Sequence, residues 1–96
     1  MATYELILPD YFDADAALIE AKGWFGDAVV TVDDGRKFAL SFYDPTRLSQ
    51  EIADELERNG LFSEPNLVVV STVARQSIER AVAQLSDAGF ATLIAS

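Results

Sequence analysis

The chain has 96 residues, enough for one domain (1–96), and half of them are hydrophobic, which argues against disorder. It contains neither cysteine nor histidine, so disulfides, thiol nucleophiles, Ser-His and Cys-His pairs and the usual zinc and haem ligands are ruled out. The net charge is −9, from 16 acids and 7 bases; such a field repels nucleic acid and anionic membranes and attracts basic protein surfaces.

That charge is unevenly placed. Residues 1–34 hold eight acids against Lys22, a balance of −7, while residues 35–96 hold eight acids and six bases, a balance of −2. No apolar run approaches the ~20 residues that cross a membrane. The segment Met1-Ala2-Thr3-Tyr4-Glu5 has no basic stretch and meets an acid at once. No signal peptide is expected, and the cytoplasm is the expected location.

In chain order, Tyr4, Leu6 and Leu8 alternate with Glu5 and Ile7, which reads as a half-buried strand stopped by Pro9. Asp13 or Asp15 then offers an N-cap for a short helix over residues 13–22, ended by Gly23. Ala28-Val29-Val30-Thr31-Val32 and residues 37–43 flank Asp33-Asp34-Gly35-Arg36, a hairpin signal in which both turn residues of Asp34-Gly35 would take positive φ. Phe38, Leu40 and Phe42 share one face; Ala39, Ser41 and Tyr43 share the other, towards water or a partner. Asp44-Pro45 opens a helix whose buried stripe would be Leu48, Ile52 and Leu56, ended at Asn59-Gly60, with Leu61-Phe62 folding back over the core.

Residues 66–96 read as strand, helix, strand, and the rest of the chain is expected to pack on them. Leu67-Val68-Val69-Val70 is an unbroken apolar run, the pattern of a strand covered on both faces. Ile78, Val82 and Leu85, with Ala81 beside them, form a helical stripe, Gly89 ends it, and Phe90-Ala91-Thr92-Leu93-Ile94-Ala95 reads as a last strand. The expected fold is therefore α+β or α/β in two layers. A single mixed β-sheet of about five strands carries two or three helices, in the order β-(α)-β-β-α-β-α-β. The first six elements match the order of a ferredoxin-like split βαβ arrangement, an analogy of architecture alone.

Several constellations invite a functional role. Asp10, Asp13 and Asp15 cluster before the short helix, but they lack the spacing of a calcium loop, and capping accounts for Asp13 and Asp15; neither metal nor cofactor is expected. Asp44, Arg47 and Tyr43 resemble a catalytic cluster, but Asp44 is better explained as a cap. Glu51, Asp54, Glu55 and Glu57 with Arg58 read as a solvated helix surface; Glu51 and Glu55 are like charges at i,i+4, a small penalty that a used acidic face would explain and that one pair does not establish. Among the aromatics, Phe12 and Phe25 suit the core, whereas Tyr11 and Trp24 carry polar tips that tolerate a wet edge.

The leading expectation is a non-catalytic, acidic protein-binding domain that docks a basic partner protein, in the manner of an inhibitor or immunity protein. Asp10, Asp13, Asp15, Asp27, Asp33 and Asp34 would steer the partner, and Tyr11 and Trp24 would anchor it. The alternative is a small regulatory domain, with the homodimer as one form of it. It would bind a metabolite where Ser71, Thr72 and Arg75 meet the start of a helix, with Ser71 or Thr72 as its cap.

Overall fold

A computed structural model describes residues 3–95. Met1 and Ala2, which begin the segment read as leaderless, and Ser96, which closes the 66–96 stretch, lie outside the described residues. The elements are β1 (Tyr4–Ile7), α1 (Tyr11–Ala14), α2 (Ala16–Lys22), β2 (Trp24–Val32), β3 (Lys37–Tyr43), α3 (Pro45–Asn59), β4 (Leu67–Val69) and α4 (Arg75–Asp87). The strands form a single mixed sheet in the order β1-β2-β3-β4, antiparallel except for the parallel pair β3·β4. The connection through α3 supplies the length a parallel pair needs. No helix among the described residues is long and apolar enough to cross a membrane.

The hairpin lies where the sequence puts it, with a different turn. Only Gly35 takes positive φ, at 95°, and Asp34 does not. Gly35 N–H donates to Val32 O at 2.9 Å, and Val32 N–H donates to Arg36 O at 2.9 Å. This is a three-residue loop closed by a glycine bulge.

One face of the sheet carries the core. Val30, Phe38, Leu40 and Phe42 from the central strands meet Ile78 and Val82 of α4, with Phe12 and Phe25 closing one end and Phe90 packed among them. The register confirms the shared face, since Val30 pairs with Phe38 and Ala28 with Leu40. The helical spacing of Ile78 and Val82 puts both on the inward side, and both are fully buried.

The single helix expected over 13–22 is two short ones, α1 and α2, with Asp13 inside the first and no side-chain cap from Asp15, because the chain turns at Asp15 to bury Phe12 and Ile19 from separate helices. Four further features depart from expectation. β1 pairs directly with β2, so the split βαβ analogy is not realised. β4 is an edge strand rather than a central one, because no later strand pairs outside it among the described residues. α4 has Ala74 at its N-cap with no side-chain bond, so neither Ser71 nor Thr72 caps it. Val73 is drawn into the core, which makes the chain turn once more before the helix starts.

The last of these is Phe90-Ala95, which forms turns and no strand. Phe90 N–H donates to Leu85 O and Gly89 N–H to Ser86 O, both at 2.9 Å, a Schellman ending that swings Phe90 inward. Its ring packs edge-on against Tyr4 at 5.7 Å and beside Phe38 at 5.3 Å. Core burial of that ring overrides the β-propensity of the run. The segment is then pinned by Asn66, whose side chain accepts from Ile94 N–H at 2.7 Å and donates to Ile94 O at 2.8 Å.

Phe90→Ala should therefore cost ~3–5 kcal/mol in denaturant unfolding, as expected for an emptied core site, whereas Ile94→Ala should change stability by less than about 0.5 kcal/mol. A strand at 90–95 would make the two losses comparable.

Candidate functional site

α3 does not bury the stripe its sequence marks. Leu48 and Ile52 are half-buried, Leu56 is 51% exposed and no residue of the helix is fully buried. Asp44 caps the helix as expected, accepting from Arg47 N–H at 2.7 Å, and Gly60 ends it at φ 75°. What turns towards the body with Leu48 and Ile52 is a pair of half-buried carboxylates, Glu51 and Glu55. Leu61 and Phe62 do not fold over the core. Leu61 is 62% exposed, and the two residues line a cleft of about 400 Å³ with Glu51, Glu55 and Glu64.

A second cleft shares Glu51 and Glu64 with the first and adds Trp24, Tyr43 and Arg47. Tyr43 is on the non-core face of β3, as its alternation requires, yet it is buried. Its hydroxyl donates to Glu64 Oε1 at 2.9 Å. Burial, the Glu64 carboxylate and the more distant Glu51 push its pKa up to about 12. The other Glu64 oxygen, Oε2, is buried with no hydrogen-bond partner among the described residues. Arg47 is engaged, lying 3.6 Å from Glu51 and donating to Lys22 O at 3.5 Å.

Trp24 is the wall between this cleft and a third, lined by Tyr11, Asp15, Lys22 and Asp27 among others. Two glycines set its position. At Gly23, φ is +71°, and a Cβ would meet the Asp44 carboxylate at 2.5 Å. Gly23 O also accepts from Asp44 N–H at 2.9 Å, which ties the start of β2 to the start of α3. The indole lies over Gly26, where a Cβ would fall 2.7 Å from Cζ2. Between Phe25 and Ala28 the register shifts, a bulge holding Gly26 and Asp27. It brings the Asp27 carboxylate to the Tyr11 hydroxyl, which donates to it and has its pKa raised by that bond. Trp24 and Tyr11 are 40% and 44% exposed, while Phe12 and Phe25 are buried, the division their chemistry suggests.

The six steering acids do not form one face. Asp15 and Asp27 flank Trp24 and Tyr11, and Asp10 precedes Tyr11 at the start of α1. Asp13 is held by Arg75, which donates two bonds at 2.9 and 3.0 Å and lies 5.5 Å from the Phe12 ring centre. Asp33 and Asp34 are in the hairpin loop at the other end of β2, ~20 Å from Asp27 at ~3.3 Å per residue. There Asp33 accepts from Thr3 N–H, and Arg36 holds the Asp34 carboxyl below its usual range. Arg75 is likewise committed, so the Ser71, Thr72 and Arg75 junction presents a guanidinium already satisfied by a carboxylate. Among the described residues, no group of acids is spaced to hold a metal ion. The acids that join Asp15 and Asp27 on the same tract of surface are Glu51, Glu55 and Glu64, and the like-charge pair on α3 was their only trace in the sequence.

The fold and site define a small α+β domain with one mixed sheet and an acid-lined tract centred on an exposed tryptophan. No family model, curated protein or solved structure matches the chain.

Two outcomes are expected. Trp24 is the only tryptophan, so Gly26→Ala, which displaces the indole, should red-shift the fluorescence emission with little loss of far-UV dichroism. Because the Tyr43 pKa is raised in the folded state, its contribution is complete below pH ~10 and is lost as pH climbs towards about 12. Tyr43→Phe should flatten that alkaline loss of stability. At neutral pH it should cost ~1–3 kcal/mol, because Glu64 is left without its donor.

Proposed function

We propose that the chain is a non-catalytic, acidic protein-binding domain that docks a basic partner protein, as an inhibitor or immunity protein docks a cationic enzyme or toxin. One observation carries this. The exposed ring of Trp24 separates two adjoining clefts whose walls hold Asp15 and Asp27 on one side and Glu51 and Glu64 on the other. A partly exposed aromatic ringed by carboxylates combines an anchor that desolvates well with charges that recruit lysine and arginine. The cations along the tract are Lys22 and Arg47, and Arg47 is turned back onto Glu51. The surface therefore keeps a negative balance where the aromatic group projects. The steering groups are Asp15 and Asp27; Glu51 is paired by Arg47, Glu64 is held by the Tyr43 hydroxyl, and the hairpin acids Asp33 and Asp34 lie too far along β2 to take part.

Capture of the partner from the native host with the whole chain as bait, followed by affinity measurement over a salt series, tests this. Affinity should fall steeply between low and physiological ionic strength. Trp24→Ala should cost about 2 kcal/mol or more, the loss expected for a central anchor. Charge reversal at Asp15 and Asp27 should slow association strongly, while reversal at Asp33 and Asp34 should change affinity by no more than about twofold. Affinity indifferent to salt and to Asp15 and Asp27 would exclude charge-led docking.

A further inference from the structure

We propose that β4 is a docking edge, where a basic partner adds an extended strand to the sheet. The backbone geometry is the first observation. Val70 N–H donates to Tyr43 O at 2.9 Å, and Asn66 O accepts from Ser41 N–H at 3.1 Å. Residues 66, 68 and 70 therefore turn their amides towards β3, and Leu67 and Val69, by the alternation of a strand, turn theirs away from it. Among the described residues, no hydrogen bond reaches these outward groups, and β4 has a neighbour on one side only.

The second observation is that this edge, short at three residues, carries no charged or proline residue of its own. Protein edges are usually blunted by charge, by proline or by cover. The opposite edge strand, β1, carries Glu5 and has α4 packed beside it. β4 reads Leu-Val-Val, and Val69 is 46% exposed. The C-terminal segment approaches at Asn66, through Ile94, without pairing with Leu67 or Val69.

Charge complementarity selects the occupant. Alternate side chains of an added strand would fall on the non-core face beside Val69, the face on which Tyr43 holds Glu64 and Glu51 lies near it. Those positions favour lysine or arginine. The intervening side chains would fall beside Val70 towards Arg80 and Gln84, which favours uncharged residues there. A second copy of this chain would bring another −9 to the contact, which disfavours self-pairing. The proposal rests on the basic-partner function above and adds how the partner is held: main-chain bonds give affinity, and alternating basic residues give selectivity.

The test uses the full chain and two synthetic ten-residue peptides, one alternating Lys and Val, the other identical but N-methylated at every residue so that neither of its edges can donate to a sheet. The first should bind and slow amide exchange at Leu67 and Val69 about tenfold, and the methylated peptide should bind about tenfold more weakly. Val69→Pro removes an outward N–H and none that pairs with β3, so it should weaken the first peptide to the level of the second while the protein stays folded. Exchange in the unaltered protein decides the matter if that variant does not fold. Equal binding of both peptides, or binding without protection at Leu67 and Val69, overturns strand addition and leaves the acidic docking function standing. Binding of neither overturns strand addition, and the salt series with the captured partner then decides the docking function separately. A concentration-dependent dimer that protects the same amides also overturns the proposal, because the occupant is then a second copy.

Discussion

A β-sheet has two faces, and this chain has one helix that packs tightly against it. α4 covers the core face with Ile78 and Val82, and the aromatic rings of Phe12, Phe25, Phe38, Phe42 and Phe90 fill the space between. The molecule is 19 Å along its thinnest axis. The second face is left to α3, which turns Glu51 and Glu55 inward and leaves Leu56 outside. The clefts along α3, the isolated edge of β4 and the exposed ring of Trp24 share this setting. Apolar material is concentrated on one side of the sheet, and the other side is polar, open and negatively charged.

The tract on that side is held by backbone devices rather than by packing. Gly23 permits the close approach of the Asp44 carboxylate, and Asp44 in turn starts α3. Gly26 gives the indole a flat seat, and the bulge that contains it sets Asp27 against Tyr11. Side chains from β2, β3, α3 and the segment before β4 thus meet along a short stretch of surface. Rigid seating of an exposed aromatic group lowers the entropy that would be lost if a partner covered it, as the proposed function requires.

Ion pairing redistributes the charge that the sequence places in residues 1–34. Arg75 crosses from α4 to hold Asp13, and Arg36 holds Asp34 within the hairpin. These pairs are exposed and contribute little to stability, but they remove two carboxylates from the outward field. Arg47 and Arg58 pair Glu51 and Glu55 on α3 in the same way, so Asp15 and Asp27 beside Trp24 carry the largest share of the outward negative charge along the tract.

What the sequence by itself determined is local. The position of the hairpin at Asp34-Gly35, the Asp44 cap, the Gly23 and Gly60 helix ends, and the Ile78 and Val82 stripe depend on residues a few positions apart, and each stands where its spacing puts it, though the hairpin closes with a three-residue loop. The α+β class with a mixed sheet follows from their order. Tertiary structure alone decided which apolar runs were used. β4 reads as a central strand and lies at the edge, α3 reads as a buried helix and is half-exposed, and the run from Phe90 gives up a strand to bury one ring. The reason is competition for a limited interior. A segment's pattern states how it can be buried, but the other segments contending for the same face of the sheet settle whether it is.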